Sequence, residues 1–153
     1  MVEQVKEEEV KKKKFQMNEF KIIKHLGAGS FGQVKLVLHN KSRQYFALKC
    51  LTKENIRGKK QIQHILNERD ILAKFKKADF CCNIHESLQD TQHLYMVLDF
   101  LPGGELFKLI RKQVFMSEEN ARFYLAEIIL AIDTLHSMGI IYRDLKPENI
   151  LLD

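Results

Sequence analysis

The sequence predicts an α+β fold: a strand-rich first part with one helix inside it, then a mainly helical second part. Three observations predict it. From Phe20 to Leu51, apolar residues alternate or run in short blocks separated by glycines and turn residues, which is the pattern of strands. Ile62, Ile65, Leu66, Leu72 and Ala73 then recur at helical spacing. Beyond Pro102-Gly103-Gly104, a break in the pattern, the spacing is helical. The chain divides into a charged lead-in segment at 1–19, a first unit at 20–101 and a second at 102–153.

In the lead-in, Glu7, Glu8 and Glu9 stand four residues before Lys11, Lys12 and Lys13, a spacing and polarity that support a helix. Phe20 to Leu26 reads as a strand leading into glycines. Val34 to Leu38 is a second strand, with Val34, Leu36 and Leu38 on one face, and His39-Asn40-Lys41-Ser42 is turn-like. Tyr45 to Leu51 is nearly all apolar, so it is expected to be covered on both faces. The three resemble an antiparallel meander. A helix is predicted over Lys60 to Lys74, and two more strands at Ile84–Leu88 and Leu94–Phe100. A short helix starts near Glu105. A long one starts at Ser117, where Ser117-Glu118-Glu119-Asn120 is a capping signal. Phe123, Tyr124, Ile128, Ala131, Ile132 and Leu135 form its apolar stripe, and Gly139 stops it.

Composition narrows the function classes. The 153 residues are 45% hydrophobic with a net charge of +5, which excludes disorder throughout. No apolar run approaches the length of about eighteen residues that a membrane span needs. The opening Met1-Val2-Glu3-Gln4 has no signal-peptide layout, and Val2 is not the glycine that N-myristoylation requires. Lys and Arg are scattered, so neither a nucleic-acid nor a membrane partner is implied. Cys50, Cys81 and Cys82 lack framework or metal-ligand spacing and are expected to be small buried hydrophobes in a reducing compartment. A cytoplasmic location is therefore expected.

Three motifs carry chemistry. Gly27-Ala28-Gly29-Ser30-Phe31-Gly32 suits a backbone that approaches phosphates without Cβ obstruction. Alone it could equally be a dinucleotide fingerprint or a plain turn. A dinucleotide fingerprint opens a helix, whereas the residues after Gly32 alternate like a strand. Lys49 sits inside the apolar run Phe46–Leu51, where it either snorkels to water from an edge strand or pairs with an acid. Glu68, on the following helix, is the candidate acid; otherwise it is an exposed helix glutamate. The third motif is Tyr142-Arg143-Asp144-Leu145-Lys146-Pro147-Glu148-Asn149. An aspartate can accept a hydroxyl proton, a lysine two residues on can neutralise a transferring phosphoryl group, and an asparagine oxygen can ligate magnesium. Phosphoryl transfer needs these parts, because its catalysis is mainly positioning and electrostatics.

Together with Leu94-Tyr95-Met96-Val97-Leu98 and Gly103-Gly104-Glu105-Leu106-Phe107, these stretches resemble a eukaryotic Ser/Thr protein kinase of the AGC group. Within that group the likeness is to the cyclic-nucleotide-dependent catalytic domains. Tyr142, where most kinases have histidine, carries the AGC likeness, which runs from about Phe20 to Asp153. It implies a protein-kinase-like fold with a five-stranded antiparallel N-lobe sheet at 20–101, then the hinge exit and partial C-lobe at 102–153. It implies ATP and Mg2+ as cofactors. The stretch Leu26, Gly27, Ala28, Gly29, Ser30, Phe31, Gly32, Gln33 and Val34 would bind nucleotide, with the glycines over the phosphates. Lys49 would hold the α- and β-phosphates and pair with Glu68. Val34, Ala47 and Leu151 would sandwich adenine. Leu98 would be the gatekeeper and Asp99 to Leu101 the hinge. Asp144 would be the base, Lys146 would touch the γ-phosphate, and Asn149 would bind magnesium. Glu105 and Glu148 would meet substrate arginines, with Glu105 also near the ribose.

The resemblance implies protein substrates with basic motifs and a cyclic-nucleotide-binding regulatory subunit or domain. The stretch Lys77–Cys82 looks closer to cyclic-GMP-dependent kinases and Gln63–Glu68 closer to the cyclic-AMP-dependent catalytic subunit. His64 either reaches a phosphate on an activation loop or is an exposed helix histidine. The 153 residues hold no Asp-Phe-Gly, whose aspartate is the main magnesium ligand in the family, and no Ala-Pro-Glu. The expectation is a fragment ending before Asp-Phe-Gly. The parent would transfer phosphoryl groups; for these residues alone, a non-catalytic nucleotide- or partner-binding module is the alternative.

Overall fold

The computed structural model describes residues 15–29, 32–56, 58–74, 79–113 and 115–153. Strands β1 (Phe20–Gly29) and β2 (Gly32–His39) form an antiparallel hairpin, from Phe20 opposite His39 to Gly29 opposite Gly32. The ladder continues through the glycines, because a residue without a side chain still offers its N–H and C=O. β3 (Tyr45–Thr52) pairs with β2, β5 (His93–Asp99) with β3, and β4 (Ile84–Gln89) lies outside β5. The strand order β1-β2-β3-β5-β4 departs from a simple meander. Helix α1 (Lys59–Lys74) follows β3, and the chain returns along the edge as β4 before β5 enters beside β3.

Side chains alternate across a strand, so the sheet has two faces to cover. On one face Val37, Phe46, Leu48, Cys50 and Val97 form a buried cluster. On the other, Leu51, Ile84 and Met96 pack with Ile56, with Ile65 and Leu72 of α1, and with Leu94 and Leu98. Covering β3 on both faces matches its nearly continuous apolar run. β2 is also covered on both faces: Leu36 and Leu38 are buried, and Val37, on the opposite face, is 0% exposed. The cause is the segment entering the sheet, whose Phe15, Met17 and Phe20 pack against that cluster. The Phe15 ring meets Phe46 edge-on at 5.5 Å.

His39, expected in a turn, ends β2 and is buried. Its Nδ1 lies 2.7 Å from Ser42 Oγ and its Nε2 3.5 Å from Glu19 Oε2. Glu19 also accepts the Lys41 amine and the Gln16 N–H. These bonds, that of Lys41 foremost, hold its carboxyl down at about 2. Met17–Glu19 is a single 3-10 turn, and residues 1–14 of the expected lead-in helix lie outside the described residues.

The second part begins at a short ladder of β6 (Gly104–Glu105) with β7 (Leu151–Leu152), followed by α2 (Leu106–Lys112) and α3 (Glu118–Ser137). Both glycines after Pro102 have a local cause. A Cβ on Gly103 would lie 2.7 Å from Leu152, and Gly104 has φ +73°. Ser117 caps α3 by accepting the Asn120 N–H at 3.2 Å. The predicted stripe of α3 is covered in part. Leu135 is buried and Tyr124, Ile128, Ala131 and Ile132 are half-buried, while Phe123 is 58% exposed. A helix buries a side only where another element lies on it, and none of the described elements covers Phe123, Leu125, Ile129 and Leu130.

Candidate active site

Lys49 stands opposite Val34 on β2 and Met96 on β5, so it projects from the α1 face of the sheet. Ala47 shares that face and is opposite Leu98. The apolar surroundings make an unpaired ammonium unfavourable. Glu68 on α1 meets it: Lys49 Nζ donates to Glu68 Oε1 at 2.6 Å. The lysine is 28% exposed and the glutamate 44%, so water screens the pair and its thermodynamic worth is small. Its consequence is positional, since it fixes an ammonium at the mouth of the β1–β2 hairpin. α1 is held for this contact by Ile65 and Leu72 in the apolar cluster beneath it. His64, one turn earlier, is exposed.

The hairpin glycines fall into two kinds. A Cβ on Gly32 would sit 1.8 Å from the Cys50 carbonyl oxygen, so packing of β2 on β3 forbids a side chain there. Among the described residues a Cβ on Gly27 or Gly29 would meet nothing within 4 Å, and neither residue has a positive φ. The described residues do not require glycine at these two positions. Ser30 and Phe31 lie outside the described residues. Leu26 is half-buried at an irregularity of the β1–β2 register. Gln33 is opposite Ala28 and Cys50, which puts its side chain on the sheet face away from Lys49. It lines a cavity of about 480 Å³ there, with Lys35, Thr52, His93 and Tyr95, and this cavity is separate from the Lys49 side.

The loop 142–149 is exposed and held by polar contacts. Lys146 Nζ lies 3.0 Å from Asp144 Oδ2. Asn149 Nδ2 donates to the Asp144 carbonyl oxygen and to its Oδ2, both at 2.9 Å. The Lys146 and Asn149 bonds lower the Asp144 pKa, so the carboxylate stays ionised and able to accept a proton. Asn149 spends its amide nitrogen on Asp144, leaving its oxygen as the atom it can offer a cation. Arg143 adopts φ 65°, an uncommon conformation for a residue with a side chain, directly before Asp144. The Tyr142 phenol is pushed up, first by burial, then by the Asp144 charge and to a smaller degree by that of Glu68.

Between sheet and helices, Asp99 is tethered to β4. Asn83 donates to its Oδ2 from both backbone and side-chain nitrogens at 2.9 Å, and His85 Nε2 lies 2.6 Å from its Oδ1. Burial alone would raise the Asp99 pKa, but the Asn83 and His85 bonds outweigh it and the carboxyl is lowered. The Asp99 side chain is thus committed to the β4 side, and its backbone N–H also donates to the Asn83 carbonyl at 3.1 Å, with Cys82 Sγ 3.9 Å from its carbonyl oxygen. Leu101 accepts the Gly104 N–H at 3.4 Å. Glu105 is opposite Leu151, and the Leu106 N–H donates to the Ile150 carbonyl at 2.9 Å, so the segment after Asn149 is pinned to the start of α2. Glu148 is exposed in the 3-10 turn Pro147–Asn149.

Residues 20–153 match the model of the protein kinase domain. The chain belongs to the protein kinase family. Its relatives make this an AGC-type kinase domain. It is 47% identical over 136 residues to serine/threonine-protein kinase Sgk1 of Xenopus tropicalis, covering 89% of this chain and 32% of the relative. It is 46% identical over 136 residues to serine/threonine-protein kinase sgk-1 of Caenorhabditis elegans, covering 89% and 29%. It is 47% identical over 142 residues to the cAMP-dependent protein kinase catalytic subunit of Schizosaccharomyces pombe, covering 93% and 28%. The kinase chain thus spans less than a third of the length of these relatives.

Three contributors to this kinase site escape sequence reasoning. Asn83 and His85 act on Asp99 across strands, and no local pattern announces that contact. Lys108 pairs with Glu105 at 2.8 Å, three residues along the same helix end, a spacing that could have been read as an ion pair.

Proposed function

We propose that this chain carries the nucleotide site and catalytic loop of a Ser/Thr protein kinase, which transfers the γ-phosphoryl group of ATP to a protein hydroxyl. The observation that carries the reading is the 2.6 Å Lys49–Glu68 pair, which holds an ammonium beside the glycine-bearing β1–β2 hairpin. Gly27 and Gly29 add to it: glycine where the described residues do not demand it suits a hairpin that a phosphate approaches closely. Lys49 holds the α- and β-phosphates, Val34, Ala47 and Leu151 enclose adenine beside the Leu98 gatekeeper, and the Asp99–Leu101 backbone bonds its edge. Asp144 orients and deprotonates the acceptor hydroxyl, and Lys146 neutralises charge on the transferring group.

Magnesium would be held mainly by the nucleotide. Such sites use one or two carboxylates plus phosphates; here the Asn149 amide oxygen would hold the ion, which is half of such a site. When bound, the ion neutralises phosphate charge. Glu105 and Glu148 receive basic residues preceding the acceptor. In this reading residues 20–101 are the small lobe and 102–153 the start of the large one. A cyclic-nucleotide-binding regulatory partner is the finer proposal, supported by the name of the fission-yeast relative and not by that of Sgk1. A cytoplasmic site of action is proposed from three free cysteines; no described helix is long and apolar enough to cross a membrane.

The test is transfer of label from γ-labelled ATP to a serine peptide by the full protein. Asp144→Asn is expected to lower the rate about 10²- to 10⁴-fold with ATP affinity unchanged. Unchanged turnover would remove Asp144 as the base.

A further inference from the structure

The two carboxylates read above as receivers of substrate cations are in different electrostatic states. Glu148 has no ion pair among the described residues. Glu105 is already paired with Lys108 of α2, Nζ to Oε1 at 2.8 Å. We propose that Lys108 is a specificity-determining residue: its ammonium competes with a substrate cation for Glu105 and shifts recognition of basic residues toward Glu148. This rests on the proposed role of Glu105 in meeting substrate.

Geometry and exposure set the strength of the competition. An ionised carboxylate has about four lone-pair sites. Lys108 engages one oxygen of Glu105, whose side chain is 33% exposed, so an incoming guanidinium can still reach the other. Lys108 itself is 61% exposed and can swing into water when displaced. An exposed pair of this kind is worth little, so Lys108 tunes Glu105 and does not close it. Of the other cations of α2, Arg111 lies over the Phe107 ring at 5.6 Å.

The experiment measures the affinity of the full protein for two fluorescent peptides, by anisotropy with Mg·ATP analogue present. One carries arginines before the central residue; the other has alanine in their place. Lys108→Gln is expected to tighten the arginine peptide about two- to fivefold and leave the alanine peptide unchanged. In the Glu105→Gln background the same substitution is expected to do nothing. Equal arginine-peptide affinity for wild type and Lys108→Gln, with Glu105→Gln still weakening it, overturns the role of Lys108 alone. A gain that persists in the Glu105→Gln background also overturns it, because the effect would then be a general loss of positive charge. If Glu105→Gln leaves arginine preference intact, both this inference and the reading of Glu105 fall.

Discussion

The outer face of the sheet and the loop 142–149 are held by opposite means. Val37, Leu48 and Val97 are shut away from water by one another and by the entering Phe15–Phe20 segment. Every residue of the loop is exposed, and its shape rests on hydrogen bonds among Asp144, Lys146 and Asn149. The sheet is built from residues chosen for volume, the loop from residues chosen for charge. Stability and chemistry are therefore separable in this chain. The Lys49–Glu68 pair is where they meet, because a helix packed through Ile65 and Leu72 delivers a carboxylate to a lysine that leaves a sheet.

That contrast can be broken most forcefully by exchanging the readouts. Leu48→Ala is expected to destabilise the fold by about 2–5 kcal/mol in urea unfolding. Asp144→Asn, a nearly isosteric change at an exposed residue, should move the same curve by no more than about 0.5 kcal/mol while collapsing transfer. If Asp144→Asn unfolded the chain as Leu48→Ala does, the loop would be structural and the contrast false.

The glycines sharpen the comparison at smaller scale. Gly32→Ala drives a methyl into the Cys50 carbonyl and is expected to cost about 1–3 kcal/mol. Gly29→Ala meets open space and should be neutral or stabilising by about 0.4–1 kcal/mol, with weakened nucleotide binding as its only loss. Thermal unfolding with and without Mg·ATP checks both. Similar destabilisation by the two substitutions would mean that the fold, not a ligand, demands glycine at 29.

The smallest effect concerns the entering segment. Glu19 titrates near 2 in the folded chain, well below an ordinary glutamate, because it accepts bonds from Lys41, Gln16 and His39. A lowered folded pKa stabilises fully above the unfolded value of about 4.5, and that contribution fades as pH falls toward 2. Acid unfolding followed by circular dichroism should show wild type losing stability through this window. Glu19→Gln, which carries no titrating group there, should lose less over the same range. Parallel acid curves would show that the Glu19 bonds do not form in solution.

Much of this architecture is legible in the residues. β1–β5 and α1–α3 follow from alternation, helical spacing and breakers, and the chemistry-bearing residues stand out because they contradict their surroundings: a lysine in an apolar strand, three polar groups in a short loop. What is not legible depends on what lies on the far side of an element. Alternation puts Val37 on the face opposite Leu36 and Leu38, and nothing local announces that Phe15 and Phe20 cover it. Phe123 reads as part of an apolar stripe, but the stripe alone does not say which of its residues a described element lies against. The pairing of β5 with β3 requires knowing that β4 takes the edge. The tether of Asp99 by Asn83 and His85 joins residues 16 and 14 positions apart, through register alone.

The central claim is that Lys49, fixed by Glu68, receives the phosphates of a nucleotide. Titrating wild type and Lys49→Met with a fluorescent Mg·ATP analogue tests it most directly, with urea unfolding as the control for folding. Removing a charge-assisted contact of this kind is expected to weaken binding about tenfold or more while the unfolding curve barely moves. Equal affinity of the two proteins for the nucleotide would contradict the account.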